Sequence, residues 1–310
     1  MTSPDVTAGS TVAPSATRTA VAASADATPV TVRFAGHRTP WLTNLITYVV
    51  LIFAAVITLA PFALSFLTAF KTPRQFASTP ALTWPNPFTG DNFATLFATE
   101  GFASPVAVTV QVVVLITVGQ LLFSIMAAYA FARLEFRGRD TLFWVYLATL
   151  MVPQVVTVIP LYAIFTEIGM RNTFWSLVLP FVFGSPYAVF LLREYFRGIP
   201  QDILDAAKID GAGAWRILWL IVVPLARPII ATLTIITVVS HWNNLMWPLI
   251  ITTGKDWQVL TVATAALQSQ YNANWTLVMA ATTLAMAPLL IVFAIFQRHI
   301  VNSISLTGFK

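Results

Sequence analysis

The chain has 310 residues, 57% of them hydrophobic and only 9% charged, with a mean hydropathy of +0.78; a soluble domain carries about 25% charged residues, so a water-covered globule is excluded and lipid is the second solvent. The net charge of +5 does not mark a nucleic-acid binder, because Lys and Arg are scattered between apolar runs rather than gathered in one patch. The absence of cysteine excludes disulfides and thiolate metal sites, and the scattered His37, His241 and His299 argue against a metal centre.

Residues 1–40 are rich in Ala, Thr, Ser, Val and Pro, lack a long apolar run, and read as a disordered cytoplasmic tail. Arg18, Arg33 and Arg38 are too sparse for a transit peptide. The first apolar run is far longer than the core of a cleaved signal. Residues 41–310 then form a transmembrane domain. Six apolar stretches, roughly 42–70, 106–132, 142–165, 174–192, 217–250 and 276–296, each approach the ~20 residues that a spanning helix needs. The expected fold is an all-α integral membrane protein of about six transmembrane helices. Pro61, Pro153, Pro160, Pro180 and Pro288 fall inside spans, which membrane helices tolerate where neighbours satisfy the freed carbonyls. In the long fifth stretch, Pro224 and Pro228 suggest a cytoplasmic lead-in and Pro248 a stop near the far face.

Orientation follows from the cations. With the N-terminus inside, 13 of the 17 Lys and Arg fall in inner segments, and only Lys71, Arg74, Arg171 and Lys255 fall outside. That asymmetry places both termini in the cytoplasm. The outer segments 71–105 and 251–275 are long. Trp84, Trp257 and Trp275 in them read either as interfacial anchors or as contacts for an external partner.

The inner loop 193–216, between spans four and five, is the informative segment. Gly198 and Pro200 punctuate its start, and Pro suits a helix start. Residues 201–210 read as a short amphipathic helix, with Ile203, Ala207 and Ala206 on one side and Asp205 and Lys208 at i,i+3 spacing. Gly211 suits a left-handed stop. Ala206, Ala207, Gly211, Ala212 and Gly213 permit close backbone approach by another protein. An ordinary helix lying in the headgroups is the competing reading, and the weakly basic character of the segment disfavours it.

Here the chain resembles a known family. The run from Asp205 to Ala212, Asp-Ala-Ala-Lys-Ile-Asp-Gly-Ala, followed by Trp215, Ile217, Pro224 and Pro228, looks like the EAA loop of ABC importer permeases, with Asp205 where Glu is usual. Further stretches are similar to the carbohydrate-uptake branch, the maltose-type and glycerol-3-phosphate-type permeases. They are Ser65–Pro73, Ala127–Leu134, Met151–Gln154, Arg171–Thr173, Trp242–Pro248 and the ending Leu306–Lys310. The resemblance implies that this loop is a coupling helix. Asp205, Ala206, Ala207, Asp210, Gly211 and Ala212 would dock into a groove on a cytoplasmic ATPase dimer, and the closing Gly308-Phe309-Lys310 would add a second contact. It also implies a second homologous permease, often a different one, an extracytoplasmic solute-binding protein, and residence in the bacterial cytoplasmic membrane among its lipids. No G-x-x-x-x-G-K-[ST] run occurs, so this transport subunit is expected to carry no cofactor of its own, with ATP and Mg on the partner.

The substrate path is less legible. Sugars are held by stacking on aromatics and by hydrogen bonds, and Trp242, Asn243, Asn244 and Trp247 cluster in the fifth stretch, beside His241. Gln111, Gln120, Tyr129 and Gln154 are further candidates, each of which would serve equally to bond helices together. A carbohydrate or polyol is the expected cargo. A glycerol-3-phosphate or glycerophosphodiester importer is the alternative. An ion-coupled secondary transporter is disfavoured because the spans lack acids for a relay.

Overall fold

The computed structural model describes residues 41–98, 100–270 and 274–306. The expected tail over 1–40 and the residues 307–310 lie outside them. The chain divides into two compact units at Ala54 and Ala55. In the first unit the described residues are the opening part of α1 (Trp41–Ala69). The second unit holds everything from Ala55 onwards, and its described residues form helices without strands.

After α1 come α2 (Pro73–Ser78), α3 (Asp91–Ala98), α4 (Ala103–Arg133), α5 (Arg139–Ala148), a 3-10 turn at Thr149–Met151, and α6 (Gln154–Glu167). Then follow α7 (Phe174–Val178), α8 (Pro186–Arg197), α9 (Gln201–Ile209), α10 (Ala214–Ile217), a π turn at Leu218–Val222, and α11 (Val223–Leu225). The chain continues through α12 (Arg227–Trp242), α13 (Met246–Ile251), α14 (Leu260–Gln270) and α15 (Trp275–Leu306).

The apolar stretches do not all become straight spans. Among the described residues, four segments, Trp41–Ala69, Ala103–Arg133, Arg227–Ile251 and Trp275–Ile295, are long and apolar enough to cross a membrane. A fifth arises if Arg139–Met151 and Gln154–Glu167 are one span, bent by 98°. The bend falls at Val152 and Pro153, both extended, because a residue before proline is pushed out of the helical region. The stretch expected as a fourth span is broken into α7 and α8 by the non-helical residues 179–185.

That break is supported from the side. Gln120 Nε2 donates to the Phe181 carbonyl at 3.2 Å, Tyr146 Oη donates to the Gly184 carbonyl at 2.5 Å, and Ser124 Oγ accepts from Ser185 N at 3.0 Å. Backbone groups at membrane depth persist outside a helix only where protein satisfies them. Gln120 also accepts from Thr237 Oγ1 at 3.2 Å, tying α4 to α12. Gln120 is therefore helix glue, while Gln111 and Gln154 are exposed.

In the fifth stretch, the helix is interrupted near Pro224 and Pro228. The ladder widens into the π turn, breaks at Ala226, and restarts with Pro228 in the first turn of α12. The far stop differs: Pro248 lies inside α13, and the helix breaks earlier, at residues 243–245.

Three apolar clusters organise the second unit, and α4 takes part in all of them. One holds the C-terminal half of α4 with α5, α8, α9 and residues 217–226. The other two hold the N-terminal half of α4 with α3, α14 and α15, and with α6, α7 and α13. The expected outer segments meet at that second end. Asn172 N donates to the Ile251 carbonyl at 3.0 Å, and Leu260 N donates to Thr109 Oγ1 at 2.8 Å. Asn92 Nδ2 holds the Ala69 and Lys71 carbonyls at 2.7 and 2.9 Å.

A β-carbon on Gly119 of α4 would lie 2.4 Å from Val182 Cγ2 and 2.8 Å from the Val182 carbonyl oxygen. Gly119→Ala is expected to destabilise the protein by about 1–3 kcal/mol, read as a lowered thermal midpoint in detergent. Gly90→Ala, whose new carbon meets nothing within 4 Å, should leave the midpoint unchanged.

Candidate functional site

The loop helix forms where the sequence places it. Asp202 lies in the first turn of α9 and Lys208 in the last, each matching the helix dipole. The helix ends in a Schellman motif: Ala212 N donates to the Ala207 carbonyl at 2.9 Å and Gly211 N to the Lys208 carbonyl at 3.0 Å. Gly211 is left-handed at φ +79°, which only glycine adopts without strain, and a β-carbon there would point into open space.

The buried face differs from the expectation in one respect. Leu204 and Ala207 are buried in the cluster around the C-terminal half of α4, whereas Ile203 and Ala206 face outward. Residues 203 and 206 lie a step round the helix from 204 and 207, and the pattern of a nine-residue helix is too short to choose between them. The outward face therefore carries Ile203, Asp205, Ala206 and Asp210. Ile209 is 87% exposed and Trp215 is 62% exposed. Lys208 Nζ donates to Asp205 Oδ1 at 2.9 Å and Gln201 Nε2 to the same oxygen at 2.9 Å. The Lys208 hydrogen bond first, and the Gln201 one second, hold the Asp205 carboxyl below its ordinary pKa.

The base of this loop is fixed by Arg193 of α8. Its guanidinium lies 4.0 Å over the Phe143 ring and pairs with Glu194 at 2.8 Å and Asp140 at 3.5 Å. Tyr195 Oη donates to the Leu225 carbonyl at 3.0 Å, joining α8 to the segment that leads into α12.

The second group of expected residues is brought together at the α12–α13 corner, in distinct roles. Trp247 is buried, donates from Nε1 to the Ser176 carbonyl at 2.8 Å, and packs edge-on against Phe165. Trp242 is also buried and donates to the Ala285 carbonyl at 2.9 Å. His241, Trp242, Asn244 and Trp247 border a cleft of about 20 Å³ with Thr109, room for one water and not for a sugar ring.

The other side of Trp242 is more open. A crevice of about 350 Å³ is lined by Asn243, Thr261, Thr264, Gln268, Thr282 and Met286 among others. Three threonine hydroxyls are already spent as donors: Thr261 to the Asn244 carbonyl at 2.9 Å, Thr264 to Leu260 at 2.8 Å, and Thr282 to Val278 at 2.9 Å. Asn243 Nδ2 donates to the Val239 carbonyl at 2.8 Å. What the hydroxyls offer a solute is therefore lone pairs, while the amides of Asn243 and Gln268 carry N–H donors as well as acceptor oxygens. Sequence reasoning missed Thr261, Thr264, Gln268 and Thr282. The legible signal was the spacing of 261, 264 and 268, which puts three polar groups on one face of α14. No cluster of His, Asp and Glu suited to a metal occurs among the described residues.

Residues 120–306 match the family of binding-protein-dependent transport system inner membrane components. The chain belongs to that family: it is a multi-pass membrane permease subunit of an ABC importer, a transport component and not an enzyme. The ion-coupled alternative is thereby set aside. The chain is 33% identical to the arabinooligosaccharides transport system permease protein AraQ of Halalkalibacterium halodurans, over 73% of this chain and 81% of the relative. It is 32% identical to the diacetylchitobiose uptake system permease protein NgcG of Streptomyces coelicolor, over 86% of this chain and 88% of the relative. It is 29% identical to the sn-glycerol-3-phosphate transport system permease protein UgpE of Yersinia pestis, over 84% and 95%. A solved bacterial ABC transporter involved in importing the acidic polysaccharide alginate shares the fold, with a TM-score of 0.74, 22% identity, and coverage of 83% of this chain and 96% of that one.

Because Asp205 titrates below its ordinary value, its support of α9 is full at neutral pH and is lost as pH falls through the depressed value. Lys208→Met removes the largest cause. The Asp205 titration, followed by the infrared band of an isotope-labelled carboxylate, is expected to move upward, and Lys208→Arg should keep it depressed.

Proposed function

We propose that the chain is half of the membrane passage through which a carbohydrate or related polyol enters a bacterium, with both termini in the cytoplasm. A second permease of the same family completes the passage. An extracytoplasmic solute-binding protein delivers the cargo, and a cytoplasmic ATPase dimer, holding ATP and Mg, drives the cycle. Of the six residues expected to dock, Asp205, Ala206, Asp210, Gly211 and Ala212 form the docking face for that ATPase, whereas Ala207, buried with Leu204, seats the helix from behind.

The observation that carries the docking assignment is the outward side of α9. Its inner side is seated by Leu204 and Ala207, while Ile209 and the neighbouring Trp215 project outward uncovered. Large apolar side chains grouped on an exposed surface mark an interaction site. Asp205, Asp210 and Lys208 beside them supply the polar rim that such interfaces carry. The uneven distribution of Lys and Arg supports an inner location for this loop.

The polar lining of the α12–α14–α15 crevice supports the cargo class. Hydroxyl lone pairs and the amides of Asn243 and Gln268 suit a solute rich in hydroxyl groups, and among the described residues no Lys or Arg lines the crevice to neutralise a phosphate. Of the substrate-path residues, Trp242 and Asn243 border this crevice, while Asn244 and Trp247 line the small cleft behind Trp242. The relatives named for arabinooligosaccharide and diacetylchitobiose uptake point the same way. The relative named for sn-glycerol-3-phosphate favours the second reading, an importer of a phosphorylated polyol.

Gly211→Asp places a side chain in a left-handed position and a charge on the docking face. It should abolish most co-purification of the ATPase while membrane insertion stays normal; normal co-purification with normal uptake would refute the docking assignment. Gln268→Leu and Asn243→Leu remove acceptors from exposed positions. Each is expected to lower sugar uptake about 5- to 20-fold, a loss worth roughly one or two hydrogen bonds, with the complex intact. A transport panel of neutral oligosaccharides against glycerol phosphates, in vesicles containing the full importer, decides the cargo class.

A further inference from the structure

We infer that Arg133, the last residue of α4, is the positioning residue that ties the coupling helix to the membrane helices and so makes their movements one. The inference rests on the reading of α9 as the ATPase-docking element, and goes beyond it by naming how displacement leaves that element.

Arg133 stands where three helix ends meet. One nitrogen of its guanidinium, Nη2, donates to the carbonyl of Phe196 and to that of Ile199, the latter at 2.6 Å. The other, Nη1, donates to Gln201 Oε1 at 2.8 Å. Phe196 lies in the last turn of α8, Ile199 in the link to α9, and Gln201 is the first residue of α9. A cation at the C-terminal end of a helix is favoured by the dipole, and a planar fork fixes direction as well as distance. From Gln201 the chain of bonds continues: Gln201 Nε2 to Asp205 Oδ1 at 2.9 Å, and Lys208 Nζ to the same oxygen at 2.9 Å. One guanidinium thus joins α4, α8 and the full length of α9.

The opposite end of α9 is built differently. Gly211 is left-handed, Gly213 follows it, and a β-carbon on either would meet nothing within 4 Å. Trp215 and Arg216 beyond them are exposed. This is a swivel, whereas the Arg133 end is a clamp. Leu204 and Ala207 also hold α9 against the cluster around the C-terminal half of α4, but apolar contact is non-directional and permits sliding. The guanidinium is the directional connection. Behind it, α4 runs without a break from Arg133 to Ala103, carrying Gln120, which supports the open segment 179–185, and Thr109, which holds the start of α14. A shift of α9 delivered through Arg133 reaches the polar crevice along this one rigid helix.

The test uses the full importer, with its partner permease, ATPase and binding protein, in vesicles. Arg133→Met keeps the aliphatic stem and removes every donor; Arg133→Lys keeps the charge and part of the bonding; Gln201→Leu, at an exposed position, severs the leg to α9 together with the Gln201–Asp205 bond and leaves the two carbonyl contacts of Arg133 in place. In Arg133→Met, ATPase co-purification and basal ATP hydrolysis should stay near wild type while solute transported per ATP falls about tenfold or more, the scale of one charge-assisted hydrogen bond. Arg133→Lys should recover part of that ratio, and Gln201→Leu should lower it less than Arg133→Met. An unchanged solute-to-ATP ratio in Arg133→Met and Gln201→Leu overturns the inference. If Arg133→Met fails to assemble, the Gln201→Leu ratio decides alone. Gly211→Asp run in parallel separates the two levels: if it leaves ATPase co-purification intact, the docking assignment itself fails, whatever the Arg133 variants do.

Discussion

A carbonyl or amide at membrane depth has no water to bond, and that constraint shapes most of this structure. Helices meet it internally. The open stretch at 179–185 does not, and it persists because Gln120, Ser124 and Tyr146 reach it from α4 and α5. Close approach is the condition for those bonds. Gly119 provides it by leaving no β-carbon against Val182, and the fully buried Ser124 and Ala128 keep the α4–α8 seam narrow. The polar residues of α4 are thus structural first. They license an irregular backbone that a single straight span would not contain.

The same helix divides the molecule into two working ends. At its C-terminal end lies one cluster, with buried Arg193, the short loop helix and the exposed Ile209 and Trp215. At its N-terminal end lie the loops around residues 69–92, 172 and 251–260, held by Asn92, Asn172 and Thr109. Between them, the described lining of the crevice beside Trp242 presents hydroxyls and the amides of Asn243 and Gln268.

The loop helix is asymmetric. Its two sides have opposite chemistry and its two ends opposite mechanics. Leu204 and Ala207 face the membrane domain, while Ile203, Ala206 and Asp210 face away. One end is gripped by a guanidinium and the other turns on a left-handed glycine.

Composition and local pattern were enough to establish an all-helical membrane protein, the position of the loop helix, its Asp205–Lys208 pair and its glycine stop, because these depend on residues within a few positions of one another. The bend at Val152–Pro153 and the restart at Pro228 were legible in the same way, since proline acts on its own neighbours. The break between α7 and α8 also has a local cause, since Ser185 is extended before Pro186, but the stretch did not show that Gln120, Ser124 and Tyr146 reach across to satisfy its open backbone. Nor was the division of the corner residues into buried Trp242 and Trp247 and exposed Asn243 legible, since an apolar stretch does not say which of its faces meets protein. The polar crevice, and the meeting of Arg133 with the ends of α8 and α9, exist only once distant segments pack. Residues 63 to 68 positions apart come within hydrogen-bond range there, and only the tertiary structure brings them together.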